Sequence, residues 1–174
     1  QKSGVKFLTE TKALGYSENA DGSLKLAIET KGQAGSLDTD VILLAVGFKP
    51  NSAGLGLEQI GVNLDKRGHV LIDEHCETNV KGVYAIGDVA GGPYLAHKAS
   101  REGEVAAEVI AGHHSARDWR AIAAATFTHP EIASVGLYEH EAKARGIDYT
   151  VGKFPFAASG RAMAVMETDG FVKV

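Results

Sequence analysis

Thr78-Asn79-Val80-Lys81-Gly82-Val83-Tyr84-Ala85-Ile86-Gly87-Asp88 reads as a turn, a short apolar strand over residues 83–86, then a glycine and a carboxylate. A buried strand of this kind delivers its next residues to the carboxyl edge of a sheet, where open α/β folds bind ligands. Asp88 would offer its carboxylate to ribityl or ribose hydroxyls, and Gly87 lets the backbone come close with no Cβ in the way. The bland reading is a capping aspartate in a strand-to-helix loop. After a loop over residues 89–93, Leu95, Ala99, Glu102, Ala106, Val109 and Ile110 recur at helical spacing. They predict a helix over about residues 95–111, with Pro93 near its start and Gly112 past its end. Amides at a helix start are unpaired and partly positive, so the stretch Tyr94-Leu95-Ala96-His97 would face an anion or an oxygen gaining negative charge. Taken blandly, Leu95 and Ala96 are core residues and His97 is a surface residue.

Upstream, short β-like segments over residues 5–8, 13–16 and 24–28, with Asn19-Ala20-Asp21-Gly22 as a turn, predict a meander of antiparallel strands. The continuous apolar run Val41-Ile42-Leu43-Leu44-Ala45-Val46 ends at Gly47 and reads as a strand buried on both faces of a parallel sheet. Gly47-Phe48-Lys49-Pro50 then breaks the pattern, as expected of a crossing between domains. A turn at residues 65–68 and a strand over 69–72 lead back to the opening segment.

Downstream of Asp118, Phe127-Thr128-His129-Pro130-Glu131 precedes a strand over residues 132–137, a charged helix over about 139–145 stopped by Gly146, and strands near 149–154 and 171–174. This is the beginning of an α+β unit. The chain starts at Gln1 and stops inside a strand-like alternation, so both ends are expected to be cut points. Composition is that of a globular protein, 44% hydrophobic and 23% charged with a net charge of -4. No basic cluster points to nucleic acid. The run over residues 41–46 is far short of the roughly 20 apolar residues of a membrane span, so none is expected. With one cysteine, Cys76, no intramolecular disulfide and no Cys-x-x-Cys pair exists within this sequence.

The string Thr-x-x-x-x-Val-Tyr-Ala-Ile-Gly-Asp-Val beginning at Thr78, then Leu95-Ala96-His97-Lys98-Ala99, then Phe127 to Gly136, resembles the dihydrolipoamide dehydrogenase family of FAD-dependent pyridine nucleotide-disulfide oxidoreductases. Val151-Gly152-Lys153-Phe154-Pro155-Phe156 and Thr168-Asp169-Gly170-Phe171-Val172-Lys173 extend the likeness, which is clearest from about Val41 onward. Related reductases acting on glutathione or mercury typically carry Leu-Thr-Pro where this chain has Leu95-Ala96-His97. The resemblance implies an α/β fold: residues 1–50 end an NAD-binding Rossmann-like domain, 51–118 form the C-terminal part of an FAD-binding domain, and 119–174 open an α+β dimerisation domain. It implies FAD contacts at Gly87, Asp88, Tyr94, Leu95, Ala96 and His97, and an NAD contact at Gly47. Phe48 follows Gly47 where many members have arginine. It further implies a homodimer, a lipoyl-bearing acyltransferase of a 2-oxo acid dehydrogenase complex as partner, and a bacterial cytoplasmic or mitochondrial matrix location.

No catalytic residue of that family is expected within this sequence. His129 stands in a His-Pro-Glu context and reads as a turn residue held extended before Pro130, not as an acid-base histidine. His113-His114 closes a helix, and no third and fourth ligand at sensible spacing makes a metal site of it. Cys76 reads as a structural thiol. No Gly-x-Gly-x-x-Gly phosphate loop occurs. Two rivals stand beside this reading: a glutathione- or mercuric-reductase-like enzyme, and a non-catalytic binding or assembly module.

Overall fold

In the computed structural model, which describes residues 4–174, the chain divides into two compact units, Gln1–Phe48 and Lys49–Val174. The first unit is a three-stranded antiparallel meander, β1 (Thr11–Glu18), β2 (Leu24–Thr30) and β3 (Gln33–Thr39), in the order β1-β2-β3. The β1-β2 turn forms where Asp21-Gly22 predicts it: the Asn19 amide donates to Ser23 O (2.8 Å), and Ser23 N donates to the Asp21 carboxylate (3.0 Å). The β2-β3 turn is made by Lys31 and Gly32, both left-handed at φ 51° and 80°, the backbone a tight hairpin requires. The third strand of the meander is therefore β3, and residues 5–8 form no strand.

The apolar run at residues 41–46 is likewise no strand. Val41, Leu43, Leu44 and Val46 are all more than three-quarters exposed. A doubly buried parallel strand needs a hydrogen-bonded neighbour on each side. Among the described residues every ladder is antiparallel, and none reaches this run.

The second unit is organised by α1 (Ala96–Ile110), one residue inside the predicted bounds at each end. Its inward face buries Val105 and Ala106 against Cys76, with Ile72, Tyr84 and Val109 packed around them. The predicted strand at residues 83–86 shrinks to a single antiparallel bridge, Glu77 to Tyr84, and that at 69–72 to a bridge between Leu64 and Val70. Even so, the backbone path is fixed: Thr78 N donates to Val83 O (2.8 Å), Ala85 N to Cys76 O (3.1 Å) and Val70 N to Val89 O (2.8 Å). These bonds fix the backbone from Val83 to Val89, and Tyr84 packs on the cluster that α1 forms with Cys76.

Beyond α1, β4 (Ala124–Thr126) pairs with β5 (Ile132–Ser134), and β6 (Lys153–Pro155) pairs with β7 (Phe171–Lys173), both antiparallel. The charged helix appears as α2 (Glu139–Ala144), ended by Gly146 at φ 66°. Its start is held by the Glu141 carboxylate, which accepts from Tyr138 N at 2.9 Å. A short α3 (Gly160–Ala164), capped by the Ser159 hydroxyl, carried no sequence signal. Among the described residues no helix is long and apolar enough to cross a membrane.

Candidate functional site

Six of the seven predicted contact residues fall on one edge of the second unit. Gly87 and Asp88 open a 3-10 turn (Gly87–Ala90), and Tyr94 to His97 lead into α1, with Leu95 as its N-cap. Gly47, at φ 109° and exposed, belongs to the first unit.

Gly87 is buried, and a contact behind it also calls for a glycine. Its φ is +74°, and a Cβ would stand 3.2 Å from the Ala99 Cβ, so the missing side chain lets α1 press against the turn. Gly91 is a second such point: at φ +76° an added Cβ would lie 3.3 Å from the His69 ring. Gly91 N closes the turn on Asp88 O at 3.1 Å. The Asp88 side chain is exposed, and its carboxylate meets no hydrogen-bond donor or cation among the described residues.

Behind that edge lies a polar network. Lys98 and Glu102, one turn apart on α1, are buried with side chains 2% and 1% exposed, and pair at 3.1 Å. Glu102 Oε2 accepts from Gly87 N at 2.7 Å. Lys98 Nζ donates to Gly87 O (3.1 Å) and Gly91 O (2.7 Å). Arg117 stands 3.7 Å from the other Glu102 oxygen. The sequence signal was Glu102 itself, an acid at a position the helical period assigns to the apolar face, with Lys98 four residues before it.

Tyr94 is held from the side. Its hydroxyl meets His69 Nε2 at 2.6 Å, while His69 Nδ1 donates to Asp65 Oδ2 at 2.8 Å. The His69 ring is buried, and its hydrogen bond holds the Asp65 carboxyl well below its usual range, at about 2. His97, on the exposed first turn of α1, donates from Nε2 to Ala123 O at 2.6 Å. Ala96 is exposed, Tyr94 and Leu95 are half-buried, and no side chain caps the first amides of α1.

The remaining candidates carry no assembled chemistry. Cys76 is fully buried, and burial pushes its thiol pKa up, the direction of an inert thiol. His129 is exposed before a cis Pro130. Among the described residues no three His, Cys, Asp or Glu side chains are grouped to hold a metal.

Together these residues place an exposed carboxylate on a left-handed glycine turn close in sequence to a helix start that no side chain caps. The sequence profile described as pyridine nucleotide-disulphide oxidoreductase matches residues 1–103, and that of the dimerisation domain of the same family matches 122–174. The chain belongs to the pyridine nucleotide-disulphide oxidoreductase family, whose α/β flavoprotein fold it shares.

Within that family it is similar to dihydrolipoyl dehydrogenases. It is 50% identical over 174 residues to that of Geobacillus stearothermophilus, covering 100% of this chain and 37% of the relative. Against the mitochondrial enzyme of Sus scrofa it is 43% identical over 176 residues, covering 100% of this chain and 35% of the relative. The crystal structure of LpdA from Mycobacterium tuberculosis superposes with a TM-score of 0.87 at 28% identity, covering 99% of this chain and 37% of that one. The flavoprotein disulfide reductase RclA of Escherichia coli, at TM-score 0.81 and 24% identity over 93% of this chain and 37% of its own, shares the fold. The chain thus spans little more than a third of the length of the curated relatives it matches.

Proposed function

We propose that this chain supplies the flavin-facing edge and part of the dimer interface of an NAD-linked flavoprotein that oxidises protein-bound dihydrolipoamide to lipoamide. One observation carries the reading: Asp88 presents an exposed, unpartnered carboxylate while the backbone on both sides of it is pinned from within. A carboxylate accepts hydrogen bonds only, so its complement is a hydroxyl-rich ligand, and the ribityl chain of FAD fits that donor set. When bound, FAD relays an electron pair between a redox-active disulfide and NAD+.

The residues of this chain bind and orient. Asp88 accepts from ribityl hydroxyls. Tyr94, Leu95, Ala96 and His97 lie against the flavin ring, where the uncapped α1 amides stabilise negative charge. Gly47 sits beside the nicotinamide nucleotide. None of them exchanges a thiol or transfers the reaction's protons. Thiol-disulfide exchange needs a thiolate and a partner sulfur, and the one cysteine is a buried thiol with a raised pKa.

In this reading residues 1–50 close the NAD domain, 51–118 return to the FAD domain, and 119–174 open the interface through which two copies pair. The likeness to dihydrolipoyl dehydrogenases supports a lipoyl-bearing acyltransferase of a 2-oxo acid dehydrogenase complex as partner, in a bacterial cytoplasm or a mitochondrial matrix. The test is turnover with purified full-length protein. NAD+-dependent oxidation of dihydrolipoamide is expected from it and not from the 174-residue chain alone. Activity in the isolated chain would overturn the division of labour, and a colourless, flavin-free full-length protein would overturn the whole reading.

A further inference from the structure

We infer that Lys98 and Glu102 are positioning residues for the flavin edge, gripping the backbone of Gly87 and Gly91 from inside so that Asp88 is held in one direction. The inference rests on the reading of Asp88 as a flavin contact. Taking a lysine and a glutamate out of water is costly, and an apolar pair of similar volume often serves a core as well or better. Here both side chains are nearly inaccessible, in the first and second turns of α1. What an apolar pair cannot do is satisfy Gly87 N, Gly87 O and Gly91 O.

Those three groups belong to the glycine that opens a 3-10 turn and the glycine that caps it, both left-handed, so their polar atoms have no ladder to pair with. Glu102 accepts from the one N–H, and Lys98 donates to the two carbonyls. Lys98 also donates to both Glu102 oxygens, at 3.2 and 3.1 Å, which closes the network on itself. The grip therefore has a polarity: a donor is required at position 98 and an acceptor at 102. Asp88 lies inside the clamped span, next to Gly87, and is the residue in that span whose side chain points outward unpartnered. With the turn fixed before ligand arrives, little ordering is left to be done on binding.

The polarity supplies the test. In the full-length flavoprotein, FAD dissociation is monitored by recovery of free-flavin fluorescence, together with the visible band shape of the bound flavin. The proteins compared are wild type, Lys98→Met, Glu102→Gln, the exchange Lys98→Glu with Glu102→Lys, and Asp88→Ala as reference. Lys98→Met is expected to weaken FAD binding roughly tenfold or more, the scale of one lost charge-assisted hydrogen bond. Glu102→Gln keeps the shape and one acceptor for Gly87 N, and so is expected to fold and lose only a few-fold.

The exchange restores opposite charges one turn apart but offers each backbone group the wrong partner. It is expected to remain as weak as Lys98→Met, with an altered flavin band. If the exchange recovers wild-type affinity and spectrum, the pair is a structural ion pair and the inference is wrong. It is also wrong if Lys98→Met and Glu102→Gln both bind as wild type while Asp88→Ala does not. If Asp88→Ala too binds as wild type, the reading of the edge itself falls, and this inference with it.

Discussion

Replacing Gly87 by alanine tests how the edge is built. Two contributions can be worked out. A non-glycine residue at φ +74° sits in the left-handed region, which costs roughly 1–2 kcal/mol. The new methyl would stand 3.2 Å from the Ala99 Cβ, inside the separation of about 3.5–4.0 Å at which two carbons attract. Relieving that contact moves either α1 or the turn, at about 1 kcal/mol or more. Loss of glycine's freedom in the unfolded chain returns about 0.4–1 kcal/mol.

The net is about 2 kcal/mol, a factor of roughly 30 in the opening of this edge at 1.4 kcal/mol per tenfold. Cys76 reports that opening, because it is wholly buried against α1 and its carbonyl holds Ala85. Labelling of Cys76 by an alkylating reagent, read by peptide mass spectrometry on native full-length protein, should be roughly 30-fold faster in Gly87→Ala. Adding Ala99→Gly removes the contact but not the backbone strain, so the double variant should label more slowly than the two single effects summed would give. Unchanged labelling in Gly87→Ala, or strict additivity in the double variant, would refute the packing argument.

The same geometry sets two further outcomes. Val105, fully buried between Cys76 and the Tyr84 segment, should cost about 2 kcal/mol when cut to alanine, seen as a lowered denaturation midpoint of the second unit's signals with the meander's signals unchanged. Asp65 has a folded pKa of about 2 against an ordinary 3.8, so the stability it contributes is fully present above the ordinary value and is lost as pH falls through about 2. Asp65→Asn should therefore destabilise at neutral pH and progressively less as pH drops through that window. In His69→Phe the Asp65 carboxyl, tracked by NMR titration, should rise toward its ordinary value.

How far the sequence discloses this structure depends on where each signal is stored. α1 was legible because period, Pro93 and Gly112 agree. The first hairpin was legible because Asp21-Gly22 admits few turns. Strand β3 was not: Gln33-Ala34-Gly35-Ser36-Leu37-Asp38-Thr39 has weak strand propensity, and its existence hangs on the left-handed Lys31-Gly32 pair and on β2 beside it. Residues 41–46 misled in the opposite sense, since an apolar run states a need for burial without naming what covers it. The local pattern singled out Gly87 and Asp88, but the contact that leaves no room for a side chain at Gly87, with Ala99 behind it, is to the next helix. Lys98 and Glu102 left only the signal of an acid on the apolar helical face; their partners are backbone atoms of Gly87 and Gly91, which no side-chain pattern displays.

Binding of flavin at the edge from Gly87 to His97 is tested most directly by amide hydrogen exchange on full-length protein, stripped of flavin and then reloaded with FAD. Slower exchange on FAD addition is expected in peptides covering residues 87–97, with the meander strands β1 to β3 unchanged. Exchange over residues 87–97 that is the same with and without bound FAD would contradict it.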